Sequence, residues 1–531
     1  MKYQDISFID YNMDQLYLPL DLEIQIPEHH VCRIVHEAVE QINPKLLYKP
    51  FEGGGRPSYH PKMMLKVILY AYTQRIYSSR QMAKQLHENI YFMWLACHQK
   101  PDFRTINRFR SERMKTIIYE TFFSIVDLLE SKGMVKLEHY FLDGTKLEAN
   151  ANRYTFVWRK STERYDRNLD EKYQTILNGI EHVTETDVAQ EDEPDMEERL
   201  ERHPVSSTQI QETIKTMEKR LEAEPKNREL KKAKRQLEKD LLPRKQKYEV
   251  QKETFQGRNS YAKTDPDATF MRMKDDHMRN GQLKPGYNVQ IGTENQFITS
   301  FSLHQRAGDP GCLIPHLNLL ASYGRPKPEA LIADSGYGSE ENYAFCEKEE
   351  IEAFVKYNTL DKENTKRWKS QVGRHENMTY DEELDEWECA NGKRLTFINE
   401  RKRKSENGYQ SVKRAYRCTA CQGCPFQETC AKGKDTKTIV VSMENRQQRQ
   451  EVKARLATEA GEILYRQRKC DVEPVFGHIK SNRDFDRFTL RGLPKVTVEW
   501  GLLCVAHNFL KWATLRKPTD HMASKAKEKV A

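Results

Sequence analysis

The chain has 531 residues, 31% charged and 37% hydrophobic, with a formal net charge of +8. That length allows roughly three or four domains and ample buried core. With a mean hydropathy of −0.85 and no run of about 18 apolar residues, a membrane-spanning helix is excluded. The mild positive balance permits nucleic acid as a partner without requiring it. The opening segment MKYQDISFIDYNMDQ carries acids where a signal peptide needs an apolar core. A cytoplasmic protein is therefore expected, with its 11 cysteines mostly reduced.

In chain order, residues 56–130 read as successive helices. Pro61 suits a first helical turn, and Leu65, Ile68, Leu69, Tyr72 and Ile76 recur at helical spacing. Ser78 and Ser79 are placed to cap a second helix, and Tyr91, Phe92, Trp94 and Leu95 mark a third. Asp102 is placed to cap one long helix running through Ile106, Phe109, Ile117, Phe122 and Leu129 to Gly133. His139–Leu147, apolar on both faces, predicts a central strand. Tyr287–Ile291 and Phe297–Leu303 predict a hairpin, Pro315–Tyr323 a helix, Ala330–Ala333 a buried strand, Glu340–Ile351 a helix and Ala353–Tyr357 a strand. Together these describe an α/β layer with two interruptions. Residues 161–256 predict a charged helical hairpin on the stripe Ile210, Ile214, Met217 and Leu221, continued by Leu230, Leu237 and Leu241, with Thr208 and Gln211 as a capping box. The acidic run Glu191–Glu198 before it reads as solvated loop. Residues 360–449 are polar and rich in cysteine, and Gln450–Ile479 and Thr497–Trp512 read as helices.

Three acids stand in apolar settings: Asp143 inside a strand, Asp334 at the end of another before Ser335-Gly336, and Glu473 within VEPVFGHIK. Buried carboxylates are costly unless paired or bound to metal. A hard divalent cation such as magnesium favours oxygen ligands, and two such ions serve phosphoryl transfer. The cysteines Cys418, Cys421, Cys424 and Cys430 are too dense for chance in a reducing cell and predict a zinc site; an iron–sulfur cluster has overlapping spacing, and Cys389 is a candidate to replace one of the four. Cys32, Cys97, Cys312, Cys346 and Cys504, with Cys470, are expected as buried packing thiols. Basic residues gather at Arg104, Arg108, Arg110, Arg113 and Lys115, at Lys231–Arg235 with Arg244–Lys247, and at Arg401–Lys404. Each is a candidate contact for DNA backbone, the first above all, on a predicted helical domain. Tyr154, Phe156 and Trp158 read as core or a loop anchor, with stacking on an unpaired base as the alternative.

The strings FLDGTK at Phe141–Lys146, ADSGYG at Ala333–Gly338 and VEPVFGHIK at Val472–Lys480 resemble the DDE transposases of bacterial insertion sequences. RFTLRG at Arg487–Gly492, AHNFLKW at Ala506–Trp512 and GRPSYHPKMMLK at Gly55–Lys66 resemble the same family in the same order. The resemblance implies a ribonuclease-H-like mixed sheet core with an N-terminal all-α domain, a helical-hairpin insert and a small cysteine-rich insert. It makes Asp143, Asp334 and Glu473 metal-binding catalytic acids for two magnesium or manganese ions. Part of the family carries Tyr-x2-Arg-x3-Glu-x6-Lys around the last acid. Here Tyr465, Arg468, Glu473 and Lys480 stand at that signature, Tyr465 and Arg468 as expected DNA contacts and Lys480 as an expected catalytic residue, with an Arg-to-Glu gap one residue longer, or with Lys469 in the arginine's place. Lys480 lies seven residues after Glu473, two regular helical turns along one face, within reach of a DNA phosphate.

The expected divisions are residues 1–135 for the N-terminal DNA-binding helices, 136–160, 257–359 and 450–515 for the catalytic core, 161–256 and 360–449 for the inserts, and 516–531 for a disordered tail. The expected partners are double-stranded DNA, as element ends and target, and a second copy of the chain. The expected activity is metal-dependent cleavage and strand transfer. The alternatives are a ribonuclease-H-like nuclease that cuts without joining, and a decayed DNA-binding repressor.

Overall fold

The computed structural model describes residues 22–51, 58–184, 204–273 and 281–516. The acidic run Glu191–Glu198, the tail from residue 517 and the Gly55-Arg56-Pro57 start of the GRPSYHPKMMLK segment lie outside the described residues. The chain forms two units. One comprises Met1–Lys136, Asn295–Thr299 and Val498–Ala531; the other comprises Leu137–Glu294 and Ser300–Thr497. The end of the last helix, Leu493–Arg516, expected in the catalytic core, is thus grouped with the N-terminal helices.

The first unit is built around helix Pro61–Thr73, in which every residue but Lys62 is buried. A helix apolar all round belongs inside. Lys66 is held there by Glu40 at 2.5 Å, and that hydrogen bond pulls the Glu40 carboxyl down to about 2. Asp102 caps the next region as expected, accepting from the Thr105 N–H at 2.7 Å. The single long helix expected there is broken, however. It runs Phe103–Arg108, widens into a π turn at Phe109–Arg113, tightens at Met114–Thr116 and restarts as Ile118–Ser131. The wide turn is where Arg110 points inward and donates to the Tyr77 carbonyl at 2.6 Å. Apolar periodicity is continuous across the break, so periodicity gives no sign of it.

The chain also holds a six-stranded mixed sheet, all of it in the second unit but the start of one strand. Its strands are β1 (His139–Glu148), β4 (Thr269–Arg272), β5 (Leu283–Glu294), β6 (Phe297–His304), β7 (Ala330–Ala333) and β8 (Glu352–Val355); β2 (Phe156–Trp158) and β3 (Ser260–Ala262) pair separately. The order is β4-β5-β1-β7-β8, with β6 also on β5. β1 is antiparallel to β5 and parallel to β7, and β7 is parallel to β8. The buried Phe141, Leu142 and Leu147 explain the central place of β1. This mixed α/β architecture is consistent with the ribonuclease-H-like core that the motifs imply.

The helical insert is larger than a hairpin. Helix Arg159–Thr184 joins Ser207–Ala223 and the run Arg228–Phe255, and Leu169 and Tyr173 pack into the expected stripe of Ile210, Ile214, Met217, Leu230, Leu237 and Leu241. The capping box is Ser206 with Gln209, not Thr208 with Gln211, because the helix starts earlier. Lys245, read as part of a DNA-facing basic run, is instead buried against Asp166 at 2.8 Å and Asp170 at 2.6 Å. Phe156 and Trp158 pack on Phe270, but Phe156 and Tyr154 are exposed, at 46% and 69%, so they do not lie in the core.

Residues 360–449 contain a five-stranded antiparallel sheet: β9 (Thr379–Asp381), β10 (Glu386–Glu388), β11 (Arg394–Lys404), β12 (Gln410–Cys418) and β13 (Lys437–Val441). Trp387, Leu395, Tyr416, Ile439 and Val441 give it an apolar core of its own, more than its polar composition suggests. Helices Met443–Leu456 and Glu459–Asp471 then lead to the short helix Glu473–Gly477. Among the described residues no helix is long and apolar enough to cross a membrane.

Candidate active site

Strand register brings the first two acids together. Leu142 pairs with Ala333 across the parallel β1–β7 ladder. Asp143 and Asp334 each follow directly, so they sit side by side. Each carboxylate is held by nearby main chain: Asp143 Oδ1 accepts from the Gly144 N–H at 2.7 Å, and Asp334 Oδ1 from the Gly336 N–H at 2.8 Å. Gly144 leaves room for the side chain of its neighbour across the sheet, Gln290. A Cβ there would meet Gln290 Nε2 at 2.2 Å.

The third acid is linked to Asp143 through an arginine. Arg468, 8% exposed, ends helix Glu459–Asp471, with Nη1 3.8 Å from Asp143 Oδ2 and Nη2 3.6 Å from Glu473 Oε1. Tyr465, one turn earlier, has its hydroxyl pKa raised by burial, with Asp334 adding to the effect, and Lys356 Nζ lies over its ring at 4.5 Å. Of the two candidates for the signature arginine, Arg468 occupies the site and Lys469 is exposed. Arg468, expected as a DNA contact, thus faces two carboxylates in this structure. Lys480 also differs from expectation. It lies in a π turn, His478–Asn482, so it is not two regular turns along one face from Glu473.

Beneath the acids is a buried polar layer that motif reading missed. Tyr337, Gln290 and Asn288 are fully buried. The Tyr337 hydroxyl donates to Gln290 Oε1. Burial raises the Tyr337 pKa well above its usual value, followed by the charges of Asp309, Asp143 and Asp334 in that order. Asp309 is therefore a further acid beside the site. It stands in the turn-like string Gly308-Asp309-Pro310-Gly311, where an Asp reads as a loop residue.

Oxygen donors of this kind suit a hard divalent cation. Even so, among the described residues no group of three or more His, Cys, Asp and Glu side chains is arranged as a metal site. At the acids, the Arg468 guanidinium stands between Asp143 and Glu473. At the other expected centre, Cys389, Cys418, Cys421, Cys424 and Cys430 line one cavity of about 20 Å³. Burial, reinforced by Cys418, pushes the Cys421 thiol up to about 11. Cys389 lies with the four clustered cysteines, as expected of a candidate replacement. Cys97 and Cys470 are exposed, against the expectation that they pack.

The basic helix divides in two. Arg104 and Arg108 are exposed and line a shallow groove with Ser78, Ser79, Arg80 and Asn107. Arg110 is 3% exposed and serves the core, and Arg113 donates to the Pro50 carbonyl with its guanidinium 4.8 Å from the Phe51 ring centroid. Arg80 is an addition that sequence spacing did not single out; it stacks over Phe103 at 5.2 Å.

Two family models match the chain. Residues 20–112 match one described as a transposase domain of the DUF772 type, and residues 388–513 match one described as a transposase DDE domain. The second match includes the cysteine cluster, Tyr465, Arg468, Glu473 and Lys480; Asp143 and Asp334 fall outside both. No curated protein and no solved structure matches the chain. Two transposase domains in this order indicate a transposase, in agreement with the insertion-sequence DDE family that the motifs resemble.

Proposed function

We propose that the protein binds the terminal inverted repeats of its own element, cuts the DNA beside Asp143, Asp334 and Glu473, and joins the freed 3′ hydroxyl to a target. The observation that supports this most is that Asp143 and Asp334 sit side by side while Arg468 links Asp143 to Glu473, in a chain with transposase domains. Asp143 and Asp334 offer oxygens from adjacent strands of a rigid sheet, which fixes their spacing. Two magnesium or manganese ions bound at the acids would supply an activated water and stabilise the leaving oxygen. Arg468 neutralises Asp143 and Glu473 until the site is loaded, and then turns with Lys480 to DNA phosphate. Arg104 and Arg108 track the backbone of the end DNA. Holding two ends requires a dimer or larger assembly.

Zinc belongs to the same reading. Four of the five thiols around the cavity hold one ion, with Cys418, Cys421, Cys424 and Cys430 as the primary set. Strand joining separates a transposase from a nuclease that only cuts. Wild-type protein given precut terminal-repeat DNA, a target plasmid and magnesium should yield covalent end–target products. Cleavage of uncut ends with no joined product would support the nuclease instead.

A further inference from the structure

Asp309 divides its two carboxylate oxygens between the interior and the acids. Oδ1 faces inward, accepting from Asn288 Nδ2 at 2.8 Å and from Gln290 Nε2 at 3.3 Å. Gln290 Nε2 also donates to Asn288 Oδ1 at 2.9 Å, and the Tyr337 hydroxyl closes the layer on Gln290 Oε1. Oδ2 makes none of these bonds and faces the site. A Cβ built on Gly336 would lie 2.8 Å from Asp334 Oδ1 and 3.6 Å from Asp309 Oδ2, so the two carboxylates flank one point.

A carboxylate with one oxygen locked by buried amides keeps its position at little further entropic cost. Its other oxygen adds negative charge beside Asp334, while Arg468 meets Asp143 and Glu473. The same Gln290 that holds Asp309 lies over Gly144, beside Asp143. One buried amide therefore ties the surroundings of both strand acids.

We propose that Asp309 is a positioning residue of the acid site, a fourth carboxylate whose Oδ2 orients water bound at Asp334 and strengthens divalent-cation binding. The inference rests on the proposed function. Groups that orient the water and ligands of a metal from outside its ligand set are worth about 10- to 100-fold in affinity or activity.

The test uses Asp309→Asn in the full-length protein. The amide oxygen of the new side chain still accepts from Asn288 and Gln290, so the buried layer is retained and only the outward charge is lost. Manganese binding without DNA, measured by calorimetry, should weaken about 10- to 100-fold, with the melting temperature in chelator unchanged. Cleavage should fall with it and recover at high manganese, which a misfolded site would not do. If Asp309→Asn does not fold, Asp309→Glu keeps the charge but moves it by one methylene, and the same weakening is expected. Wild-type manganese affinity and cleavage in the folded variant would overturn the role of Asp309 while leaving the transposase reading intact. Wild-type protein that neither binds manganese nor cuts would overturn both.

Discussion

Arg468 places its Nη1 3.8 Å from Asp143 Oδ2, on a strand more than three hundred residues earlier in the sequence, while Nη2 holds Glu473 at 3.6 Å. Like charges drawn together need a counter-charge, and here a buried guanidinium supplies it. Arg468→Gln should therefore destabilise the protein in chelator, by about 1 kcal/mol or more given the partial exposure of Glu473. Magnesium should restore the loss. Calorimetric melting with and without magnesium checks this; equal melting of the two proteins in chelator would show that the guanidinium carries no such load.

The N-terminal arginines should separate by role. Replacing Arg104 and Arg108 with glutamine should leave folding intact and reduce the salt slope of end-DNA binding by about 2, the loss of two phosphate contacts. Arg110→Ala should instead cost roughly 1–3 kcal/mol of stability, because it strips the Tyr77 carbonyl of a buried charged donor. Fluorescence anisotropy across a salt series, paired with thermal melts, distinguishes the two. An unchanged slope in the double variant would move end recognition to other surfaces.

How far the sequence carries differs between elements. Strands β1 and β7 are legible because their apolar runs are short, bounded and fully buried, and the acids stand out against them. The helix at Asp102 is legible at its cap but not at its break, since Phe109 and Ile117 keep the apolar period while the backbone widens around Arg110. The role of Arg468 is half legible: the signature names it, but only folding turns it to Asp143. Asp309 is invisible, because an Asp before Pro-Gly looks like any turn and its partners Asn288 and Gln290 lie on a strand whose polar residues face inward. The apolar core of residues 360–449 escapes notice because its few aromatics are scattered through a charged segment and meet only across β10, β11, β12 and β13.

The histidines behind the sheet should make stability fall in acid. Burial pushes His316 down to about 3 and His304 to about 4, with Arg306 adding to the latter. His316 Nδ1 is bonded to Ser302 Oγ at 2.6 Å, and its Nε2 lies 3.2 Å from Ser300 Oγ. Both pKa values lie below the unfolded value of about 6.5. The stabilisation is therefore complete above pH 6.5 and is lost as pH falls toward the folded values, by up to about 1.4 kcal/mol per pH unit for each ring. Melting temperatures from pH 7 to pH 5 should fall, and His316→Gln should flatten the fall. A slope unchanged by that substitution would remove His316 from the explanation.

The thiol cavity should hold about one zinc per chain by elemental analysis. Cys421→Ser should lose that metal and lower the melting temperature, without fully unfolding a sheet that has its own apolar core. Iron with visible absorbance would point to a cluster. Metal-free protein with five freely titrating thiols would contradict a metal centre.

The most direct measurement is magnesium-dependent cleavage of duplex DNA carrying the terminal repeats that flank the gene, by wild type and by Asp143→Asn, Asp334→Asn and Glu473→Gln. Wild type should cut at the element end. Each variant should give no product above background and still bind the same DNA. Cleavage near the wild-type rate by any one of the three would contradict its place among the catalytic acids, and cleavage by all three would contradict the site itself.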